Sequence, residues 1–236
     1  MSVKTTTRAL LATATLALAV GAAAGCSGSS DKSPAAAANL PAAQTLLDQS
    51  ATAMGTVQSV QFDLGVNGSL PQLPVTSANG TLKHDGSAQG SAKISELGET
   101  IQVNFILIGQ TFYLSTGSGG YTSMPLSAAT QVFDPSTILD PNKGIPKILS
   151  TTTNAKTVGE DTINGSKAYK IQATVDQAAV NSLIPGATKG TSGDIWVDEA
   201  THRVDKAVFT VPQPGNSATV TLTLTNYDKP VTIHAP

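Results

Sequence analysis

The chain has 236 residues, with 14 basic side chains against 16 acidic ones and a formal net charge of −2. A single cysteine rules out a disulfide framework within the chain, and with only 13% charged residues no basic stripe exists to hold nucleic acid by counterion release. The abundance of Thr, Ser, Gly and Ala suits a β-rich exported protein, and the length allows one large domain or two small ones.

The N-terminus reads as an export signal. Lys4 and Arg8 precede an apolar run from Ala9 to Val20, and small residues Gly21 to Gly25 lead to Cys26. The apolar run is too short for a transmembrane helix, so residues 1–25 are expected to be a signal peptide. Ala24-Gly25-Cys26 resembles the lipobox of exported lipoproteins, although Ala23 stands where that pattern usually has Leu or Val. The resemblance implies cleavage before Cys26 and a diacylglyceryl anchor on its sulfur, holding the protein to the outer face of the cell membrane. Cleavage removes Lys4 and Arg8 but none of the 16 acidic residues. Residues 26–39 have no apolar face and read as a flexible tether. Residues 40–236 form the expected folded domain.

A helix is expected first, with Pro41 in its first turn and Leu46, Leu47, Ala51 and Met54 at helical spacing, stopping at Gly55. The period then becomes two: Val60, Phe62, Leu64 and Val66 alternate with Gln61, Asp63, Gly65 and Asn67. Strands over 78–84 and 87–94 are joined at Asp85-Gly86. A strand over 100–108 places Ile101, Val103, Phe105 and Leu107 on one face, and Gly109-Gln110 turns into a strand over 111–116. Residues 133–149 suggest two short helical pieces, capped by Asp134 and Asp140, whose apolar side holds Ile138, Leu139, Ile148 and Leu149. A hairpin over 157–163 and 168–175 turns at Asn164-Gly165. A short helix capped by Asp176 runs to Leu183. A hairpin over 194–198 and 204–211 follows, and Val220, Leu222 and Leu224 alternate with threonines in a last strand. Strands joined by tight turns give an antiparallel sheet.

Nothing in this order assembles chemistry. There is no Gly-x-Ser-x-Gly elbow, and His84, His202 and His234 show no metal-binding spacing. The chain is expected to be no enzyme and to carry no cofactor. Asp134 and Asp140 serve as caps, and the Asn-Gly pairs at Asn67, Asn79 and Asn164 as local backbone devices.

A sheet with one apolar face must cover it. The covering helices are short, and inward positions such as Ala92 and Ala173 are small. Two readings follow: a dry, close-packed core, or an under-filled interior that an acyl chain could occupy. In the second case the candidate lining is Val60, Phe62, Leu64, Val66, Ala92, Ile94, Ile101, Val103, Phe105, Leu107, Ile138, Leu139, Ile148, Leu149 and Leu183. An interior of well over ~1,000 Å³ would favour a lipid with several tails.

Four stretches carry a resemblance. They are Phe133-Asp134-Pro135 through Leu149 with its Leu-Asp-Pro-Asn-Lys-Gly core, the segment Gly159 to Gly165, the Trp196-Val197 strand, and the first strand from Val60 to Pro71. From about residue 40 to the C-terminus the chain resembles the LppX/LprG family of actinobacterial lipoproteins. The resemblance implies an α+β fold: a curved antiparallel half-barrel with helices packed on its concave face, enclosing an apolar cavity, with Ala92 on the cavity wall. It also implies binding of triacylated glycolipids and triacylglycerol, their carriage across the cell envelope, and work alongside a major-facilitator exporter. An accessory module that stabilises such an exporter without a ligand of its own remains the other reading. Polar loops such as 116–123 would face a sugar head group.

Overall fold

The structure, a computed structural model, describes residues 40–70, 74–96, 99–117, 119–129, 138–179, 191–213 and 215–236. The signal peptide, Cys26, the tether, the Asp134 cap and Leu183 lie outside the described residues.

Helix α1 spans Ala43–Met54 and buries Ala43, Leu46, Leu47 and Met54, the face that the spacing gives. Pro41 sits before the helix rather than in its first turn. Ala42 is the N-cap, and the Pro41 carbonyl accepts a hydrogen bond from Thr157 Oγ1 (2.7 Å). Strands β1 (Ser59–Asn67), β2 (Val75–Lys83), β3 (Ala88–Glu96), β4 (Glu99–Ile108), β5 (Thr111–Thr116) and β6 (Thr122–Pro125) follow in sequence. Helix α2 is Leu126–Ala129 and α3 is Ile145–Thr151. Strands β7 (Thr153–Ile163), β8 (Ser166–Val175), β9 (Thr191–Asp198), β10 (Val204–Gln213) and β11 (Asn216–Thr225) complete the chain.

All strands among the described residues join one antiparallel sheet of 11, in the order β6-β5-β4-β3-β2-β1-β11-β10-β9-β8-β7. The sheet is two meanders that meet at β1 and β11, where Phe62 stands opposite Leu224, Leu64 opposite Leu222 and Val66 opposite Val220. It stays open, with β6 and β7 as its edges. The chain must therefore pass from one edge to the other between β6 and β7, and that passage carries α3 over the concave face, against α1. The curved, unclosed antiparallel sheet with few helices is the half-barrel expected.

Local chemistry explains the turns and the bend. Asn164 (φ 51°) and Gly165 (φ 88°) form a two-residue hairpin with both residues left-handed. Asn79-Gly80, in contrast, is not a turn but the middle of β2. Gly80 faces Gly90 of β3, and a Cβ on either would lie 2.2 or 2.0 Å from a carbonyl oxygen of the neighbouring strand. Gly193 of β9 is in the same position against β10, at 2.1 Å from the Val208 carbonyl oxygen. These glycines allow strands to close up where the sheet curves, one site on each side of the central β1–β11 pair.

Asp140 is not a helix cap. Its Oδ1 accepts from the Asn142 amide (2.7 Å) within a turn, and the N-cap of α3 is Gly144. Asp176 does cap its short helical turn, by accepting from the Ala178 amide (2.8 Å). Strand β6 and helix α2 carry no periodic signal, being only four residues each.

Candidate functional site

The concave face of the sheet is not filled along its whole length. A cavity of about 390 Å³ lies between sheet and crossover, within about 1950 Å³ of atom-free space that includes the solvent at its opening. The sheet supplies Phe62 and Leu64 from β1, Ala92 and Ile94 from β3, Val103 and Phe105 from β4, Phe112 and Leu114 from β5, and Phe209 from β10. The crossover supplies Ile138, Ile145, Ile148 and Leu149. All four phenylalanines among the described residues are on this wall. The rings of Phe105 and Phe112 lie nearly parallel, with centroids 6.1 Å apart. Small inward residues (Ala78, Ala92, Ala207) leave the room that larger ones would take.

Among the described residues, every wall residue is apolar except Thr191. Its side chain is 1% exposed and its Oγ1 has no hydrogen-bond partner. An unpaired buried hydroxyl is costly in a dry site, which marks this as the one polar contact that the described wall residues offer. The cavity reaches the surface beside α2, since Ala128 is on the wall and also exposed.

Both ends of the hollow are stopped by solid packing. At one end, Leu47 and Met54 of α1 pack with Val57, Val60, Leu82, Leu107 and Leu224, all 0–2% exposed. At the other, Leu70 and Ala218 pack with Val175, Val211 and Val220, which are also on the wall, and Val66, Ile148 and Ala179 lie against them. The expected lining divides accordingly. Phe62, Leu64, Ala92, Ile94, Val103, Phe105, Ile138, Ile148 and Leu149 are on the wall. Val60, Leu107 and Leu139 are in the solid end instead, because α1 and the crossover fill the space beneath them. Val66 packs against the second plug. Ile101 runs past the cavity and is 39% exposed. Alternation identifies the inward face of a strand but not which stretch of that face has something packed on it. The same limit hid β2, β5, β8, β9 and β10 residues of the wall, although the inward phenylalanines were available as a signal.

The titratable groups of interest gather around Val204, whose side chain is on the wall. Asp205 sits at a bulge between Val204 and Lys206, and its Oδ2 is buried without a partner. Burial, reinforced by the nearby Asp198 carboxylate, pushes its pKa up to about 6. Asp198 Oδ1 is well satisfied, accepting from the Ala200 and Thr201 amides and the Thr201 hydroxyl. The Tyr227 hydroxyl donates to the Val204 carbonyl, and burial holds it protonated far beyond the usual phenol range. Arg203 pairs with Asp228, whose Oδ1 also accepts from the Gln58 amide (2.8 Å). These bonds tie the C-terminal turn to the segment after α1 and to the β9–β10 loop. Among the described residues no three His, Cys, Asp or Glu side chains converge as a metal site.

A profile of the LppX_LprAFG lipoproteins matches residues 42–233. The chain belongs to that family. Membership implies an exported protein associated with the cell envelope. Among its relatives, the lipoarabinomannan carrier protein LprG of Mycolicibacterium smegmatis is 34% identical, with 94% of each chain aligned. The protein of the same name from Mycobacterium leprae is 32% identical, over 94% of this chain and 93% of that one. Of solved structures, LprF from Mycobacterium bovis superposes with a TM-score of 0.73 at 25% identity, covering 82% of this chain and 96% of that one. Mycobacterium tuberculosis LppX has the same fold, with a TM-score of 0.63 at 21% identity over 81% of this chain and 97% of that one.

Proposed function

We propose that this chain is a carrier that shelters the acyl tails of glycolipids and triacylglycerol in its cavity and moves them across the cell envelope. The observation that carries the reading is the wall, apolar at every described position but Thr191 and open to the surface beside α2. Each methylene moved from water into such a site gains about 0.8 kcal/mol, so a tail of ~16 carbons gains on the order of 12 kcal/mol. A bilayer offers nearly the same gain. Loading and unloading against a membrane are then close to balanced, while escape into water is opposed by the whole sum. That balance suits carriage rather than storage.

The lone hydroxyl of Thr191 suits the ester carbonyl at the root of an acyl tail, which would accept its hydrogen bond. At about 390 Å³ the enclosed space falls within the range of ordinary single-ligand sites and below the ~1,000 Å³ that several tails would favour. A triacylated ligand would therefore place part of its hydrocarbon in the wider trough, with the sugar head group outside. Cys26, through its diacylglyceryl group, would hold the carrier to the outer face of the membrane, and a major-facilitator exporter would be the partner that delivers lipid to it. The naming of relatives as lipoarabinomannan carriers supports this reading.

The test is organic extraction of the purified full chain followed by mass spectrometry, and then transfer of the extracted lipid species from donor to acceptor vesicles. Acylated glycolipid or triacylglycerol should co-purify, and the protein should speed its transfer. A chain that purifies free of lipid, takes none up and speeds no transfer would overturn the reading in favour of an accessory module for an exporter.

A further inference from the structure

Charge is spread unevenly over this sheet. From Thr100 to Ala129, which spans β5, β6, α2 and all of β4 but its first residue, the exposed Glu99, the sequence contains no Asp, Glu, Lys, Arg or His, while charged residues are 13% of the whole chain. The opposite side carries Lys156, Asp161, Lys170 and Asp194. There the Lys170 and Lys206 ammonium groups lie 5.0 and 5.1 Å from the centre of the Trp196 ring, and the Trp196 indole donates to Asp161 (2.7 Å).

Two of the three exposed large apolar side chains among the described residues lie on the neutral edge: Ile101 and Tyr121 are 39% and 40% exposed, while the third, Val158 at 43%, is on the far edge strand β7. Val103 stands opposite Thr116 and Leu114 opposite Thr122, so Ile101 and Tyr121 sit at strand ends on either side of the end of β5. At the other end of β6 from Tyr121, Met124 is half-buried on the wall, and Ala128 of α2 is on the wall and exposed.

We infer that the β4–β6 edge with α2 is the surface this domain lays on a lipid bilayer, with Ile101 and Tyr121 set at the boundary of head groups and acyl chains. A bilayer interface accepts uncharged polar groups and tyrosine rings and rejects buried charge, which is the composition of this edge. A protein partner would ordinarily be oriented by complementary charge, and past Glu99 at the start of β4 this edge presents none. Contact here puts the cavity opening against hydrocarbon, so a tail passes between membrane and wall without crossing water. The purpose of the contact rests on the carrier reading; the contact itself does not.

The full chain carries one tryptophan, Trp196, on the charged side, which serves as an internal reference. The full chain is reconstituted on phosphatidylcholine vesicles with and without brominated tails, which quench tryptophan at close range. Wild type and Val158→Trp, on the far edge strand, should keep their emission. Tyr121→Trp should lose about half of its emission, by the same amount at low and high salt, since no charge sets the contact. Equal quenching in Tyr121→Trp and Val158→Trp, or none in Tyr121→Trp, overturns the inference, as does emission of the Tyr121→Trp variant that changes only with formation of a dimer. Absence of this quenching in protein that still carries lipid defeats the docking surface alone. Quenching of the Tyr121→Trp variant in protein that never carries lipid defeats the carrier reading alone.

Discussion

Leu222 and Leu224 are the same residue type on the same face of the same strand, yet one borders space and the other does not. Leu224 is 1% exposed inside the packing around α1, while Leu222 is on the cavity wall. Strand β1 repeats the contrast with Val60 and Leu64, and β4 with Leu107 and Phe105. One end of the half-barrel is built for stability and the middle is left for a guest. The difference lies in what crosses the concave face: α1 fills one end, and the crossover roofs the middle without filling it.

Truncation should separate the two regions most strongly. Leu224→Ala is expected to cost about 3 kcal/mol, as for a leucine removed from a closed core, whereas Leu222→Ala should cost about 1 kcal/mol because one side of that leucine has no partner atoms to lose. Denaturant midpoints of the two variants, measured without lipid, check this; equal losses would mean that the middle is as solid as the end.

A weaker effect belongs to the bulge beside Val204. Asp205 has a folded pKa near 6, above its unfolded value of 3.8, so between these values the folded state binds more protons than the unfolded one. Stability should therefore fall as pH rises from about 4 to about 6 and stay low above that. Asp205→Asn should flatten this dependence and raise stability at pH 7 by on the order of 1 kcal/mol, after allowing for the solvent around a half-buried group. Thermal melts across that pH range test it, and an unchanged slope in the variant would assign the dependence elsewhere. The smallest effect is expected at Thr191→Val, which removes an unpaired buried hydroxyl. The empty protein should gain up to about 1 kcal/mol, while preference for an ester over a plain hydrocarbon of equal length should fall by roughly tenfold or less. Competition binding of an alkyl ester against an alkane reads that preference directly.

Much of this architecture was legible in the residues. Alternation placed the inward faces of β1, β4 and β11, and Asn164-Gly165 and Asp85-Gly86 marked two of the hairpin turns. The depth of each residue was not legible, because a period of two says which face a side chain takes and nothing about what crosses above it. Hence Val60, Leu107 and Leu139 were grouped with true wall residues, and Ile101 with them despite its exposure. Asn79-Gly80 falls inside the strand expected over 78–84, but only the fold shows that its glycine serves close approach of two backbones. Strand β6 and α2 are too short to show a period, and so the edge at which the cavity surfaces could not be seen in advance.

The central claim is that the hollow is a seat for acyl tails. Native mass spectrometry of purified wild type and Ala92→Trp tests it most directly, since Ala92 is on the wall and an indole there would occupy the seat. The account predicts bound acylated lipid on the wild type and little or none on Ala92→Trp, with denaturant midpoints that stay within about 1 kcal/mol of each other in the absence of lipid. Equal lipid occupancy in the two folded proteins would contradict it.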